Sequence, residues 1–588
     1  MSTTTIIIHV FMLLGGLAFF LFGMNVMSSG LEKLSGGKLQ STLNKATNNT
    51  FKSLFLGAGI TVAIQSSSAL TVMLVGLVNS GIMSLRSTVG VIMGSNIGTT
   101  LTAWLTSLTG IESSGPISLL KPSSFSPLLA FIGIVLTMMS KSNKKKDIGN
   151  ILLGFGVLMF GMELMGDAME PIANLPTETF AKVISIFNNP VIGVLVGAVF
   201  TGVIQSSAAS VAILQNLAHT TGQISYGMAI PIIMGQNIGT CVTSLISSIG
   251  VNKNAKRVAC IHIMFNMIGT VIVLLLYIPA YFALNKFLST SINTFGIAMC
   301  HSIFNLFTTF LLLPFQKLLV KLANIVIKDK KGVEEQYEFI DERLLHTPAF
   351  AIQECTHRCI EMASKAQTCI LSAINLCGNY DERRANDIIK IEDDIDTYED
   401  KLGTFLVKLS KNELSDKDSA EVSKMLHSIG DFERLGDHAV NLIKVAREMH
   451  DKNITFTADA VADLAVARKA LTDIVNMTVE AYINNDLSAA NDVEPLEQVI
   501  DGIIASVKSR HINRLKGGEC TIEHGFVLSD MLTNFERVSD HCSNIAVTMI
   551  EVVQDSYDTH EYLHALKSID NKEFKEKFIE FSLQYKLN

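Results

Sequence analysis

Two short polar clusters interrupt apolar stretches of this 588-residue sequence. The first consists of Gln65, Ser66, Ser67 and Ser68, and the second of Gln205, Ser206 and Ser207. Hydroxyl and amide oxygens can ligate a hard cation such as sodium, and a helix capped by serine presents free N–H groups to an anion. The alternative is that these residues only pack membrane helices together. Because the cluster occurs twice, each time 31 or 32 residues before an Asn-Ile-Gly-Thr segment, we expect it to bind a ligand.

The Asn-Ile-Gly-Thr segments contribute further polar groups. They contain Asn96, Thr99 and Thr100 in the first copy and Asn237 and Thr240 in the second. Glycine makes local unwinding of a helix easy, and an unwound turn exposes carbonyl groups to a ligand. The same glycines could instead allow close helix packing. We predict that both helices are unwound at these segments.

A third short repeat places a histidine and an asparagine four residues apart. The pairs are His262 with Asn266 and His301 with Asn305, each on one helix face. They either line a pathway or form hydrogen bonds between helices. We predict the second of these roles.

The charged residues are distributed very unevenly along the chain. Residues 1–328 contain 18 Lys and Arg and 7 Asp and Glu. The remaining 260 residues contain 29 Lys and Arg and 48 Asp and Glu. No Asp or Glu occurs between Glu178 and Asp329. Charged side chains cost several kcal/mol at bilayer depth, so this stretch indicates contact with lipid. We therefore expect a membrane domain over residues 1–328 and an acidic soluble region after it.

The membrane half is duplicated at a spacing of about 140 residues. Three pairs of segments match in the same order: FLFGMNVM (20–27) with LMFGMELM (158–165), IQSSSA (64–69) with IQSSAA (204–209), and MGSNIGTT (93–100) with MGQNIGTC (234–241). The loop after the first FGM segment is basic, whereas its counterpart contains Asp167, Glu170 and Glu178. Because cytoplasmic loops favour Lys and Arg, the two loops lie on opposite sides of the membrane. The repeats, about 10–140 and 148–284, are therefore predicted to be inverted.

The same rule predicts the topology. Each QSS segment is interpreted as a re-entrant hairpin, because a full span would place Arg86 outside. This gives seven crossings and two hairpins, with the N-terminus outside and nearly every basic loop in the cytoplasm. A multiply charged anion in this nearly charge-free region needs co-bound cations, and neutral oxygen ligands suit sodium better than a proton.

The paired QSS and Asn-Ile-Gly-Thr motifs resemble those of the type II sodium–phosphate cotransporters, over residues 10–315. The resemblance implies that both QSS hairpins meet near the membrane midplane and bind phosphate and sodium, with Asn96, Thr99, Asn237 and Thr240 completing the sites. The second motif departs from the full pattern, with Ala208 where the first has Ser68. That missing hydroxyl leaves the number of sodium ions open.

The sequence pattern of residues 345–556 predicts an all-α bundle. This region also contains a duplication. FERLGDHAVNL (432–442) matches FERVSDHCSNI (535–545), and EDDID (392–396) matches EQVID (497–501). Two three-helix repeats are the expected product. Glu-x-x-x-Asp pairs from adjacent helices can surround a metal, although such pairs alone usually form a solvated acidic face.

This half resembles PhoU, a phosphate-signalling protein built from two three-helix repeats with acidic metal clusters. The resemblance implies a regulatory role and a divalent or iron-type metal. The implied ligands are Glu392, Asp396, Glu433, Asp437, Glu497, Asp501, Glu536 and Asp540. A linker (329–344) precedes this region and a charged tail (557–588) follows it.

From these observations we expect a sodium-coupled phosphate transporter that crosses the inner (cytoplasmic) membrane several times and is regulated by a cytoplasmic PhoU-like domain. A phosphate exporter of the same fold and a membrane-bound phosphate sensor are the alternatives. Expected partners are phosphate, sodium and lipid, with a homodimer and a phosphate-signalling protein also considered, and no nucleic acid. An enzyme is not expected, because the sequence contains no P-loop, nucleophile elbow or zinc-ligand spacing.

Overall fold

A computed structural model describes residues 3–35, 49–110, 122–140, 142–173, 189–328, 339–412, 414–554 and 572–587. The regular elements within these ranges are all helices, and the only β pairing there is an isolated bridge between Ser225 and Ser291. The chain divides into two compact units, Met1–Phe350 and Ala351–Asn588. The predicted all-α fold class is confirmed.

The first unit contains fourteen of the numbered helices. They are α1 (Thr3–Ser35), α2 (Thr50–Ile64), α3 (Ser67–Asn79), α4 (Leu85–Ser107), α5 (Pro122–Met139), α6 (Asn143–Ala173), α7 (Pro190–Ile204), α8 (Ser207–Thr221), α9 (Tyr226–Gly239), α10 (Cys241–Ser247), α11 (Lys253–Ala283), α12 (Asn285–Leu288), α13 (Thr294–Leu312) and α14 (Gln316–Val326). Within the part of the chain that the structure describes, five stretches are long and apolar enough to cross a membrane: Thr4–Leu34, Asn143–Glu170, Tyr226–Ser247, Lys253–Ala283 and Thr294–Val326. Helices α4 and α5, also predicted to cross, are not among them, and the count of seven stays a prediction.

The first QSS segment is a helical hairpin. Along α2 and α4, Ser53 lies against Gly90 and Ala58 against Gly98, so these two helices run in parallel. Helix α3 then returns and ends at Asn79, six residues before α4 begins. Its 13 residues span about 20 Å, less than the ~30 Å of a bilayer core.

The second QSS segment has the same form. Val194 lies against Gly235 and Ala198 against Gly239, so α7 and α9 are parallel, and α8 returns to end just before α9. The helical part begins at Pro190, and residues 183–188 of the predicted hairpin lie outside the described residues. Both predicted hairpins are confirmed as helix–break–helix units.

The two hairpins open towards opposite ends of α4. The base of the first is bound at Asn79 to Asn252 and lies beside the start of α4. At the base of the second, the Ser291 hydroxyl donates to the Gly222 carbonyl (2.7 Å). Thr294 lies three residues after Ser291 and donates to the Ser107 carbonyl at the other end of α4 (3.0 Å). The inversion that the loop charges predict stays a prediction.

The predicted unwinding at the Asn-Ile-Gly-Thr segments is wrong for the first copy. Asn96, Thr99 and Thr100 lie within the continuous helix α4, and in the second copy the only interruption is at Thr240, which keeps right-handed helical angles between α9 and α10. The physical reason is close packing, because a Cβ at Gly94 or Gly235 would collide with a carbonyl of the neighbouring hairpin helix.

The second unit is a helical bundle with two related halves. Its helices are α15 (Pro348–Leu376), α16 (Glu382–Leu409), α17 (Asp416–Asp451), α18 (Ala458–Asn484), α19 (Leu487–Asn491), α20 (Val493–Lys516), α21 (Ile522–Gln554) and α22 (Lys572–Gln584). The duplicated segments FERLGDHAVNL and FERVSDHCSNI lie on α17 and α21, which pack together. His438 is bonded to Asn534 (2.8 Å) and His541 to Asp431 (2.9 Å), at positions equivalent in the two copies.

Candidate functional site

A single left-handed residue breaks the helix at each hairpin tip. Gln65 has φ 55° and Gln205 has φ 58°, a conformation that is uncommon for residues other than glycine. The serine that follows is extended and caps the next helix: the Ser66 hydroxyl accepts from the Ala69 N–H (3.1 Å) and the Ser206 hydroxyl from the Ala209 N–H (3.2 Å). The two tips therefore share one backbone design.

Each tip points the N-terminus of a helix into the membrane unit. The first N–H groups of a helix have no intrahelical acceptor and carry the positive end of the helix dipole. Helices α3 and α8 begin at Ser67 and Ser207, both of which are buried. The surrounding residues 53–85 and 183–252 contain no Asp, Glu, Lys or Arg. In such a region the two helix ends are the main positive groups available to an anion.

The glutamine side chains differ between the two tips. Gln65 is buried, donates from Nε2 to the Val62 carbonyl (2.6 Å) and accepts at Oε1 from the Thr102 hydroxyl (2.9 Å). Gln205 is exposed. The first tip is therefore held in place by α4, whereas the glutamine of the second tip is exposed.

Helix α4 connects the two hairpins. Thr102 contacts the first tip, and the carbonyl of the next residue, Ala103, accepts from Nε2 of Gln215 on α8 (3.0 Å). Gln215 also donates to the Thr294 carbonyl (3.2 Å). One turn of α4 is thus shared by the first hairpin tip and the return arm of the second.

The predicted Asn and Thr residues contact their own or neighbouring helices. Asn96 donates to the amide oxygen of Asn266 (2.7 Å), and Asn237 donates to the Ile233 carbonyl one turn earlier (3.0 Å). Thr99, Thr100 and Thr240 donate to carbonyls of their own helices. The hydroxyl oxygens remain able to accept or to ligate a cation.

Several buried amide oxygens have no hydrogen-bond partner among the described residues. They belong to Gln215, Gln236 and Asn305, each at most 1% exposed. An unsatisfied buried acceptor costs about 1–3 kcal/mol, and neutral oxygens of this kind suit a hard cation. The His-x-x-x-Asn pairs therefore differ: Asn266 contacts Asn96, whereas Asn305 keeps a free acceptor oxygen.

A polar cavity of about 370 Å³ lies beside α8, at the end of α6 that bears acidic residues. Its lining includes Glu163, Asp167 and Glu170 of α6, together with Asn216 and His219 of α8. Helix α6 begins with three lysines, Lys144–Lys146, so the cavity lies at the opposite end of this helix. We refer to it as the acidic cavity.

In the second unit, one of the two acidic clusters is compact. Carboxylate oxygens of Glu497, Asp501 and Asp540 lie within 4.8 Å of one another, which suits a shared cation. The fourth residue implied by the resemblance, Glu536, instead forms an ion pair with Lys508 (3.0 Å).

The first acidic cluster is electrostatically coupled but looser. Burial, reinforced by Asp437, raises the pKa of Glu433 to about 7. Burial together with neighbouring carboxylates also raises the pKa of Glu392 and of Asp396. Asp437 is paired with Arg434 (2.9 Å). Like charges held this close favour a proton or a cation between them.

Two contact residues were missed by the sequence interpretation. Thr102 lies just beyond the Asn-Ile-Gly-Thr-Thr segment and was not singled out. Thr61 donates to Ser95 across the α2–α4 interface (2.9 Å). The only signal for either was an excess of Thr and Ser in otherwise apolar helices, which is also typical of ordinary membrane-helix packing.

The helical fold with its paired hairpin tips is typical of a polytopic membrane carrier. Comparison with known families identifies it further. Residues 19–167 and 168–301 match the Na+/Pi-cotransporter family, and residues 359–446 and 467–549 match the PhoU domain. The N-terminal half of the chain thus matches the Na+/Pi-cotransporter family, and the C-terminal half contains PhoU domains.

Three known proteins illustrate these similarities. The "Putative inorganic phosphate export protein YjbB" of Escherichia coli K12 is 21% identical over 568 residues, covering 94% of this chain and 99% of that protein. Human "Sodium-dependent phosphate transport protein 2B" is 29% identical over 138 residues, 22% of this chain and 20% of that one. The crystal structure of PhoU from Pseudomonas aeruginosa aligns at 17% identity with a TM-score of 0.34, over 35% of this chain and 99% of that one.

Proposed function

We propose that the chain transports inorganic phosphate together with sodium, with the two hairpin tips forming the binding site. The observation that carries this proposal is the pair of serine-capped helix N-termini of α3 and α8, buried in a region without charged side chains. Free N–H groups and hydroxyls there can hold a phosphate without a fixed Lys or Arg. In this proposal Gln65, Ser66, Ser67 and their counterparts Gln205, Ser206 and Ser207 contact phosphate or sodium.

Sodium coupling is supported by charge compensation. A phosphate with up to two negative charges in this region has no cationic side chain to balance it. The orphaned amide oxygens of Gln215, Gln236 and Asn305 are the kind of neutral ligand that sodium accepts. The description of the family and the printed name of the human relative both include sodium.

Phosphate export is the second candidate, favoured by two observations. A relative that aligns over nearly the whole chain has a name that includes phosphate export. In addition, the acidic cavity would repel phosphate that approaches from outside, if the lysine-rich end of α6 lies in the cytoplasm.

The PhoU half is proposed to regulate this transport from the cytoplasm, with the protein in the inner membrane. The basic segment around α14 before the second unit supports a cytoplasmic location. A metal held by Glu497, Asp501 and Asp540 is proposed as part of that regulation. A sensor that binds phosphate without moving it is the remaining alternative.

Flux of radiolabelled phosphate into proteoliposomes tests the three hypotheses of cotransport, export and sensing. We expect uptake to rise at least about tenfold when an inward sodium gradient replaces a potassium gradient. Gln65→Ala and Gln205→Ala should each remove this uptake while leaving the folded protein intact, since both tips form one site. Protein-dependent efflux without sodium dependence would favour the exporter. Phosphate binding without any flux would favour the sensor.

A further inference from the structure

The segment that leads from the membrane unit towards the PhoU half is docked onto the first hairpin. It comprises Asp341 and the short 3-10 helix Glu342–His346. Asp341 is only 1% exposed and Leu344 is fully buried. The Asp341 carboxylate caps the short helix by accepting from the Arg343 N–H (2.8 Å), and it also pairs with the Arg343 guanidinium (2.9 Å). This acidic side chain is therefore buried with its charge compensated.

The contacts of this segment concentrate at the end of α3. Nδ2 of Asn79 donates to the Asp341 carboxylate (2.6 Å), and the Asp341 N–H donates to the Ser80 hydroxyl (3.0 Å). Leu344 lies over Gly76, where a Cβ would be 3.5 Å from the leucine side chain. Buried hydrogen bonds and an apolar anchor together define a specific docking site.

The same point also reaches the second repeat. Asn252, the N-cap of α11, donates from its backbone N–H to the Asn79 side chain (2.8 Å) and from Nδ2 to the Asn79 carbonyl (2.9 Å). Arg343 donates to the Ile249 carbonyl, just after α10 (2.8 Å). The segment therefore ties the first hairpin to the loop between α10 and α11 in the second repeat.

We propose that residues 341–347 form a latch that holds the return arm of the first hairpin and through which the PhoU half controls transport. Helix α3 is a short rod whose latched end, Asn79, lies about 18 Å from Ser67 at the tip. Holding the one end restrains the other. The latched state is the resting state, and withdrawal of the segment by the PhoU half frees the tip. This inference rests on the proposed transport function.

A disulfide can lock the latch closed. A Cβ placed at Gly76 would lie 3.7 Å from the Cβ of Arg343, within the range that disulfides adopt. The double variant Gly76→Cys/Arg343→Cys in the full chain should lose about tenfold in phosphate flux on oxidation and recover it on reduction. The two single variants are the matched controls, because they contain every native cysteine but cannot form the bridge. Their flux should not respond to the oxidant.

Hydrogen exchange of α3 separates failure of the latch from failure of the transport proposal. Peptides from Ser67–Asn79 should exchange at least about fivefold more slowly in the oxidised double variant than in the reduced one. Unchanged flux and unchanged exchange at complete cross-linking would overturn the latch. If the unmodified protein moves no phosphate, transport is refuted, and the exchange result alone still decides whether the segment restrains the hairpin.

Discussion

Gln65 and Gln205 share a backbone conformation but have different surroundings. Gln65 is buried and uses both ends of its amide, whereas Gln205 is exposed. The sequence predicted a hairpin at each QSS segment, because a full span there would place Arg86 outside. It could not predict that Thr102 would be the partner of Gln65, since that contact joins residues 37 positions apart.

Thr102→Val should reduce sodium-driven phosphate uptake about tenfold. Valine has nearly the shape of threonine but donates no hydrogen bond, so the Gln65 oxygen would lose its partner and the tip would lose its fixed position. Loss of one buried hydrogen bond costs about 1–3 kcal/mol, and about 1.4 kcal/mol corresponds to a factor of ten. The measurement is initial uptake rate against phosphate concentration in proteoliposomes.

Thr106→Val is the matched control for this prediction. Its hydroxyl is also buried in α4, one turn later, but donates only to the Thr102 and Ala103 carbonyls of its own helix. We expect near-normal uptake from this variant. Equal losses in the two variants, or normal uptake with Thr102→Val, would contradict a positioning role for the Thr102 hydroxyl.

At the scale of helices, the sequence predicted which segments form helices and hairpins better than it predicted the local geometry of each helix. The hairpins, the two all-helical halves of the chain and the duplications can be predicted from the length of the apolar segments, the charge of the loops and the repeated motifs. The unwinding predicted at residues 96–100 was wrong. A glycine in a membrane helix can allow either local unwinding or close packing, and the neighbouring helix decides which of these occurs. Here α2 packs so closely on α4 that a side chain at Gly94 does not fit.

The two acidic clusters of the second unit also show that a sequence motif does not determine how side chains on neighbouring helices converge. Both copies contain the same residue types, yet only Glu497, Asp501 and Asp540 form a compact set among the described residues. Which carboxylates converge depends on the angle between neighbouring helices and on competing cations such as Lys508. Neither can be read from the spacing within one helix.

Asp501→Asn should weaken binding of Mn²⁺ to the full-length protein at least about tenfold, because it removes a charged oxygen from the compact cluster. Titration calorimetry with Mn²⁺ measures the affinity. Glu536→Gln serves as the control, since Glu536 is already paired with Lys508 (3.0 Å) and should matter little. If Glu536→Gln has the larger effect, the ligand set implied by the PhoU resemblance is favoured over the compact set Glu497, Asp501 and Asp540.

At the scale of the whole molecule, contacts between distant segments fall outside what sequence patterns show. Asn79 and Asp341 are separated by 262 positions and belong to no motif, yet they form one of the shortest hydrogen bonds between polar side chains in the first unit. By contrast, the charge difference between the two ends of the membrane unit is visible in the sequence, and the acidic cavity is its structural counterpart.

This charge difference leads to a prediction about the two faces of the carrier. Asp167→Asn/Glu170→Gln removes two negative charges from the acidic cavity, which should lower the apparent affinity for sodium on that side and raise it for phosphate. Uptake titrations at low and physiological salt measure both affinities. The change in each affinity should become smaller at higher salt, because the Debye length falls to about 8 Å at 0.15 M. Lys144→Gln/Lys145→Gln, at the opposite end of α6, should leave both affinities on this side unchanged. If the acidic double variant alters neither affinity at low salt, the cavity does not lie on the path of either ion.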